Sequence, residues 1–264
     1  MEFLRAHKRR TLLSETIYIL LNIALAVAVL ILVWATGTPW LALLLVFLSK
    51  WRVFAVRPRY WFAHVEANTV DLIVSVGFVI LIYLVNQADT PSALMVQTVI
   101  TFLYAGWLLL LKPRSKRNFV VIQAAIALTV GSLSVASLSY EWPSSVVVIA
   151  MWIIGYSTAR HALASYSETE LRLLSLIWGF VIAEIGWLTY HWTIAYTLPF
   201  VGGLKLPQVT LIVLGVSFLA ERVYDSIHRH KTINMNDIIL PMLLTLGIIV
   251  ILLVVFNAAS IGAV

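Results

Sequence analysis

The sequence predicts an all-α fold, a polytopic bundle of transmembrane helices that forms one integral membrane domain over residues 1–264. Hydrophobic residues make up 61% of the chain and charged residues 11%, whereas soluble domains are about 45–50% apolar and about 25% charged. Nine mostly apolar stretches are each roughly 17–22 residues long, enough at ~1.5 Å per residue to cross a hydrocarbon core about 30 Å thick. Almost all basic residues sort to one side of these stretches, which is typical of cytoplasmic-membrane proteins.

The first predicted helix, Thr16–Ala35, follows a basic cluster that includes Arg5 and Lys8. A basic cluster before an apolar run also occurs in signal peptides. This run is longer than the apolar core of a signal peptide, which has about 7–15 residues. We therefore expect it to be retained as the first transmembrane helix.

The second predicted helix, Pro39–Phe54, is interrupted by Lys50. If this segment only re-entered the membrane, eight crossings would remain, and all later basic loops would face outward. A full span in which Lys50 reaches toward the headgroups preserves the charge bias. We therefore predict nine crossings, with eight as the alternative.

Seven further helices are predicted, each an apolar run bounded by charged or turn-forming residues. They lie at Asn68–Val85, Ser92–Leu111, Asn118–Leu138, Pro143–Arg160, Leu171–His191, Leu206–Val223 and Asp237–Asn257. Three of these starts carry a polar residue close to an acid, which is the pattern of an N-terminal cap, where the helix dipole favours the acid. The three pairs are Asn68 with Asp71, Ser167 with Glu170, and Asn236 with Asp237.

Alternating crossings place the N-terminus in the cytoplasm and the C-terminus outside. Every Lys and Arg except Lys205 then lies on the cytoplasmic side, as the positive-inside rule requires. We therefore predict a multi-pass protein of the cell (cytoplasmic) membrane, of prokaryotic type. Gly77–Ile80 recurs as Gly179–Ile182, which indicates either a parallel repeat of residues 16–85 and 118–187 or a chance match between apolar segments.

Composition disfavours several classes of function. The chain has no cysteine, which excludes disulfides and thiol chemistry. No loop exceeds about 20 residues and no Gly-rich phosphate-binding motif occurs, so a nucleotide-binding domain is not expected. The net charge of +6 predicts contact with the lipid bilayer and its anionic lipid headgroups rather than with nucleic acid. No metal site and no cofactor are predicted.

Glu184 is the only acid well inside a predicted span, about eight residues and hence ~12 Å from the outer end of the seventh helix. An unpaired carboxylate at that depth costs several kcal/mol. We therefore expect Glu184 to be protonated, paired or in contact with water. Trp187 and His191 are expected on the same face of the helix.

The fourth predicted helix carries a polar row, Gln97, Thr101 and Tyr104, spaced i, i+4 and i+7. Together with Glu184, these residues predict an outward-opening cavity in which Glu184 exchanges a proton or cation while its neighbours bind a small solute. The alternative is that these polar groups only hydrogen-bond helices to one another.

The segment Lys50–Glu66 interleaves basic and aromatic side chains at the inner membrane surface. Aromatic rings at headgroup level and basic groups beside phosphates predict contact with anionic lipid headgroups. Ordinary interfacial anchoring explains the same composition. The candidate residues are Arg52, Arg57, Arg59, Trp61 and His64.

These features support three hypotheses about function. The first is a small-solute or ion permease with Glu184 as its binding or coupling group. The second is a structural or accessory membrane subunit that presents a flat apolar flank to a membrane protein partner, or to a second copy of the chain in a homo-oligomer. The third is a lipid-phosphate enzyme or flippase, whose polar groups would converge around His64, Glu66 and His161. A cavity that reaches Glu184 distinguishes the first hypothesis from the second.

Overall fold

The computed structural model describes residues 12–88, 90–139, 142–191, 194–197 and 204–255. Within these ranges the chain is almost entirely helical, which confirms the predicted all-α class. The helices are α1 (Leu12–Thr36), α2 (Trp40–Ser49), α3 (Trp51–Phe54), α4 (Trp61–Gln87), α5 (Ala93–Gly106), α6 (Arg117–Leu138), α7 (Ser144–Ala164), α8 (Leu171–Tyr190), α9 (Gln208–His230) and α10 (Met235–Val250).

Short irregular elements complete this bundle. A 3-10 turn, Pro58–Tyr60, precedes α4, and α5 and α10 continue as π-helical turns over Trp107–Leu111 and Ile251–Val255. Two short strands, β1 (Ala195–Thr197) and β2 (Lys205–Pro207), pair antiparallel between α8 and α9. The end of the last predicted helix, beyond residue 255, lies outside the described residues.

Among the described residues, seven helices are long and apolar enough to cross a membrane, namely α1, α4, α5 with its π turn, α6, α7, α8 and α10 with its π turn. The predicted spans Pro39–Phe54 and Leu206–Val223 correspond to α2 and α9, which are not among the seven. In α9, Glu221 and Arg222 make the second half of the helix more polar than a typical span.

The second predicted helix is broken at Lys50 into α2 and α3. With ten residues, α2 is ~15 Å long, about half the thickness of a hydrocarbon core. The sequence predicted that Lys50 reaches toward the headgroups, but its side chain is buried. The physical reason is an acidic partner on α4, Asp71, to which the ammonium group turns inward.

Hydrogen bonds between helix ends define two ends of the bundle. At one end, which we call the far end, the Gln87 amide donates to the carbonyl of Gly37 over 3.0 Å, and the Gln208 amide donates to the carbonyl of Leu252 over 2.7 Å. Gly37 directly follows α1 and Gln87 is the last residue of α4. The two helices therefore run parallel, and the chain returns between them through α2 and α3.

The opposite end collects the basic side chains, and we call it the basic end. There the Tyr18 hydroxyl, near the start of α1, donates to the carbonyl of Leu108 over 3.2 Å. Arg117 at the start of α6 pairs with Asp225 near the end of α9 over 2.7 Å. Lys50, Lys112 and Arg160 pair with acids on α4. Helix order along the chain thus places the predicted cytoplasmic loops at one end of the bundle.

The apolar core has two parts. The first surrounds α4 and includes buried residues of α1, α2, α5 and α6, and the second lies between α6, α7, α8 and α9. Glycines allow close approach in both parts: a Cβ added to Gly77 would lie 2.5 Å from Cγ1 of Val130, and one added to Gly155 would lie 2.6 Å from Cβ of Ile182. The parallel repeat suggested by Gly77 and Gly179 stays a prediction.

The predicted cap at Asn68 and Asp71 is wrong, because α4 begins earlier, at Trp61. Both side chains therefore lie inside the helix, where no free amide groups are available to be capped. Asn68 instead donates to the carbonyl of His64 over 2.8 Å. The aromatic residues before Asn68 continue the helix toward the membrane surface.

Of the other two predicted caps, that of α8 is wrong and that of α10 is shifted by two residues. At α8, the N-cap residue Glu170 makes no side-chain capping hydrogen bond. Its amide donates to the side chain of Glu168 over 3.2 Å, and no hydrogen bond from that amide to the Ser167 hydroxyl is found among the described residues. At α10, the side chain of Asn234 accepts from the amide of Asn236 at 3.2 Å. Of these two helices, only α10 therefore has a side-chain cap, close to the predicted one.

Candidate functional site

The outward face of α8 carries a continuous row of exposed side chains. Their spacing alternates between three and four residues, which is the spacing of a coiled-coil seam. The apolar members of the row are between 45% and 62% exposed. The row, which we call the outer seam, consists of Leu173, Ile177, Phe180, Glu184, Trp187 and His191.

The opposite face of α8 is filled by α7. Ser175, Gly179, Ile182 and Gly186 are buried there, and a Cβ added to Gly186 would lie 2.8 Å from Cγ of Met151. Small residues on this face let the two helix backbones approach closely, as is typical of membrane proteins. This packing turns the outer seam away from the bundle.

Glu184 lies on the outer seam, six residues before the end of α8 and hence ~9 Å from that end. The sequence predicted that this carboxyl group is protonated, paired or in contact with water. Its side chain is exposed on the flank of the bundle, and it makes no hydrogen bond or ion pair within the described part of the chain. Trp187 and His191 are its neighbours, with ring centroids 5.3 Å apart and planes at 81°.

Gln97, Thr101 and Tyr104 lie on the face of α5 that packs against α4, and all three are buried. The Gln97 amide donates to the carbonyl of Ile82 and to the side-chain oxygen of Asn86, both over 3.1 Å. The Thr101 hydroxyl donates to the carbonyl of Gln97 over 2.8 Å. The row therefore joins α5 to α4.

The structure does not bring Glu184 together with the polar row of α5. Helix α5 packs against α1 and α4, whereas α8 packs against α7 and α9. A cavity of about 170 Å³ does lie between α6, α7, α8 and α9, but neither Glu184 nor the α5 row lines it. Its lining is mostly apolar, with Ser139, Thr189 and Tyr190 as polar members.

Sequence reasoning missed a buried ionic site around Asp71. Its Oδ2 atom is bound by the ammonium groups of Lys50 and, at 2.8 Å, of Lys112, while the indole of Trp107 donates to Oδ1 over 3.1 Å. The side chains of Lys50 and Asp71 are only 6% and 14% exposed. The available signal was a pair of opposite charges, each isolated in an apolar stretch.

The predicted headgroup residues whose side chains are described lie at the basic end. The Arg59 guanidinium lies 4.5 Å from the ring centroid of Tyr60. The Arg52 side chain is outside the described residues. Contact with anionic lipid headgroups stays a prediction. Such contact requires side chains that are exposed at the surface of the bundle. The exposed candidates are Arg57, Arg59, Trp61 and His64.

The polar groups expected for a lipid-phosphate enzyme do not converge. Arg160 Nε lies 2.8 Å from a carboxylate oxygen of Glu66, His161 Nε2 lies 2.8 Å from the side-chain oxygen of Gln123, and His64 is exposed. In the described ranges, no three His, Asp or Glu side chains are close enough to hold a metal ion. The acid and the two histidines thus have separate surroundings.

Asp225, near the end of α9, is held by two arginines at the basic end. Arg117 lies 2.7 Å away, Arg229 bonds the second carboxylate oxygen, and the neighbouring Tyr166 hydroxyl donates to Glu221 over 2.9 Å. Burial alone would raise the pKa of Asp225, but the Arg229 hydrogen bond and the charges of Arg229 and Arg117 outweigh burial and hold this pKa below its usual value. The ionised carboxylate therefore ties α6 to α9 at neutral pH.

Comparisons with protein families, with curated proteins and with solved structures found no match to this chain. Function is therefore inferred from the side chains described above. Two features stand out chemically, the exposed acid on α8 and the buried polar interface between α4 and α5.

Proposed function

We propose that this chain is an integral membrane subunit that binds another membrane protein through the outer seam of α8. The observation that carries the proposal is the exposed carboxyl group of Glu184 in a helix long enough to span the membrane. Lipid solvates apolar side chains well, but an acid inside the hydrocarbon core costs about 2.5–3.5 kcal/mol on insertion scales. A partner that binds this carboxyl group removes that cost.

The seam also fits a helix as its partner. Leu173, Ile177, Phe180 and Trp187 supply apolar side chains at the spacing that a second helix interdigitates with. A helix with a basic or amide side chain opposite Glu184 would satisfy the carboxyl group and fix the register of the contact. A permease centred on Glu184 needs a wet cavity at that side chain, so the exposed position favours the subunit hypothesis.

Photo-crosslinking tests this proposal. A benzophenone amino acid in place of Phe180 should give a discrete adduct in native membranes, while the same group at Phe102, which is 72% exposed on α5, should give none. Glu184→Leu should lower the adduct yield about fivefold, because one intramembrane hydrogen bond is worth about 1 kcal/mol. The yield is measured on gels, and mass spectrometry identifies the captured chain.

The captured chain should carry a transmembrane helix with a basic or amide side chain. An adduct made only of two copies of this chain would show that the partner is a second copy of the chain in a homo-oligomer. Equal adducts from Phe180 and Phe102, or a yield insensitive to Glu184→Leu, would refute docking through the outer seam.

We further propose nine passes through the cell membrane with the basic end in the cytoplasm. The parallel course of α1 and α4 supports a return pass through α2 and α3, and the contacts of Gln208 and Asp225 at opposite ends support a pass by α9. Collection of the basic side chains at one end supports the orientation.

Single-cysteine labelling tests the orientation, since the chain has no cysteine of its own. In intact cells, a membrane-impermeant maleimide should label Thr38→Cys at the far end of the bundle. It should label Ser115→Cys only after the cells are opened. Both side chains are exposed, so access to the reagent decides the result. Labelling of Ser115→Cys in intact cells would invert the proposed topology.

A further inference from the structure

The cavity between α6, α7, α8 and α9 lies at the far end of the bundle, and the proposed docking surface does not use it. The helical residues that line it all fall within about two turns of the far end of their helix. Gly186 lines it from the face of α8 that packs against α7, whereas Glu184 lies on the opposite, outward face. The cavity is therefore separate from the outer seam.

The cavity has a buried floor and a partly exposed rim. Val147, Met151 and Val209 form the floor and are at most 7% exposed. Thr189 and Tyr190, in the last turn of α8, also line the cavity but are only half-buried. A small molecule can therefore reach the floor from the far end without separation of the helices.

The segment that borders the cavity between β1 and α9 is held in place by hydrogen bonds. Ile194 and Pro207 line the cavity from this segment. The backbone amide of Gln208 donates to the carbonyl of Ile194 over 2.9 Å, and its side-chain amide donates to the carbonyl of Leu252 over 2.7 Å. Ala195 pairs with Pro207 across the two strands. These contacts keep the segment from collapsing into the cavity.

The size and lining of the cavity restrict the kind of molecule that it can hold. Its volume is about 170 Å³, and an apolar protein cavity of about 150 Å³ is large enough to bind benzene. Among the described residues, the lining is mostly apolar and contains no charged side chain. Burial of an unpaired charge there would be costly. The cavity therefore suits an uncharged molecule about the size of one six-membered ring.

Three hydroxyl groups line the cavity, and each already donates its proton to a backbone carbonyl. Thr189 donates to Ile185 over 2.7 Å, Tyr190 donates to Trp142 over 2.6 Å, and Ser139 donates to the carbonyl three residues before it over 3.4 Å. A hydroxyl group has one proton to donate and two lone pairs that accept. The remaining hydrogen-bonding capacity of these three groups is therefore that of acceptors, which favours a ligand with a donor.

We propose that this cavity binds a small uncharged amphiphile, a ring or an apolar group of similar size that carries one hydroxyl or N–H donor. The apolar part of the ligand contacts Val147, Met151 and Val209, and its donor bonds a hydroxyl of the lining. Amphipathic rings concentrate at the membrane–water interface. In the proposed topology the far end lies at the outer interface, so such molecules are enriched next to the cavity.

Fluorine NMR of the purified protein in detergent tests this proposal. The probes are 4-fluorophenol, which has a donor, and 4-fluorotoluene, which has nearly the same shape without one. Both should give a bound signal that saturates with concentration, whereas partition into detergent does not saturate. At least one of Ser139→Ala, Thr189→Val and Tyr190→Phe should weaken 4-fluorophenol binding about fivefold, the loss of one hydrogen bond, with 4-fluorotoluene binding unchanged.

Matched variants separate loss of the site from loss of the fold. Ala136→Leu fills the cavity and should abolish saturable binding of both probes, while Ala164→Leu, exposed at the end of α7, should keep it. Thr98→Val removes an exposed hydroxyl of α5 that also donates to a carbonyl of its own helix, and it should not weaken 4-fluorophenol binding. The unfolding midpoint of each variant checks its fold.

Three results would overturn the proposal. They are the absence of a saturable signal from the wild-type protein, wild-type binding by Ala136→Leu, and wild-type 4-fluorophenol binding by all three hydroxyl variants. Glu184→Leu should leave the binding of both probes unchanged, because Glu184 does not line the cavity. The outcome is therefore independent of docking through the outer seam.

Discussion

Replacing Asp71 by leucine should destabilise the protein by about 3–5 kcal/mol, because it leaves the buried ammonium group of Lys50 without its counter-ion. Both Lys50 and Asp71 are largely shielded from solvent, so water cannot replace the lost carboxylate. Lys112 is less affected, because its side chain is 37% exposed and its ammonium group can turn toward the surface. Thermal unfolding of the purified protein in detergent measures the loss.

A matched pair of variants checks the cause of this loss. Glu184→Leu also removes an acid from a candidate span, but this side chain is exposed and unpaired within the described chain, so stability should stay the same or rise. Adding Lys50→Met to Asp71→Leu should recover most of the lost stability, because a buried pair is commonly replaceable by apolar residues. If Asp71→Leu and Glu184→Leu unfold alike, the buried ion pair is not formed.

Replacing Gly155 by alanine should separate α7 from α8 and destabilise the protein by about 1–3 kcal/mol, the usual effect of overpacking. The added Cβ would lie 2.6 Å from Cβ of Ile182 and 3.2 Å from Cα of Gly179. Neither neighbour can turn aside, because one belongs to the backbone and the other is attached directly to it. The unfolding midpoint in detergent measures the effect.

Gly247→Ala is the control for this prediction. Gly247 also lies inside a helix, α10, and a Cβ added there would meet nothing within 4 Å. Alanine is the better helix former by roughly 0.5–1 kcal/mol, so this variant should be slightly more stable than the wild-type protein. Equal effects of the two substitutions would show that α7 and α8 are not in close contact.

Hydropathy alone predicted most helices, because an apolar run of about 20 residues has few alternatives to a membrane span. The bounds of α6 and α8 differ from the predicted Asn118–Leu138 and Leu171–His191 by one residue. Prediction was poorer where a charge interrupts an apolar run. Lys50 ends α2 because its ammonium group binds Asp71, a partner 21 residues away that no local pattern identifies.

The sequence did not predict how α8 is rotated about its own axis. It therefore did not predict the surroundings of Glu184. Lipid and protein core are both apolar, so polarity does not tell which face of a membrane helix points inward. Small residues do give a signal, since they concentrate where helices approach closely. Gly179 and Gly186 mark the face against α7, and that placement turns Glu184 outward.

The remaining differences between prediction and structure arise from contacts between segments that are distant in the sequence. Asp71 fits the pattern of a cap when only its neighbours in sequence are considered, but α4 begins ten residues before it. Gln97, Thr101 and Tyr104 were recognised as one face of a helix, and they do share a buried face. Periodicity does not indicate which helix covers that face, because this depends on how the helices pack against one another.

The polar character of α9 has a consequence for biogenesis. Gln208 at its start bonds the carbonyl of Leu252 beyond α10, and Asp225 near its end pairs with Arg117 of α6. In the proposed nine-pass topology, a nascent α9 that leaves the translocon alone would carry these groups into lipid without partners. On that topology we expect α9 to enter the bilayer together with α10, after α6 is in place, so that insertion and folding of this helical hairpin are a single event.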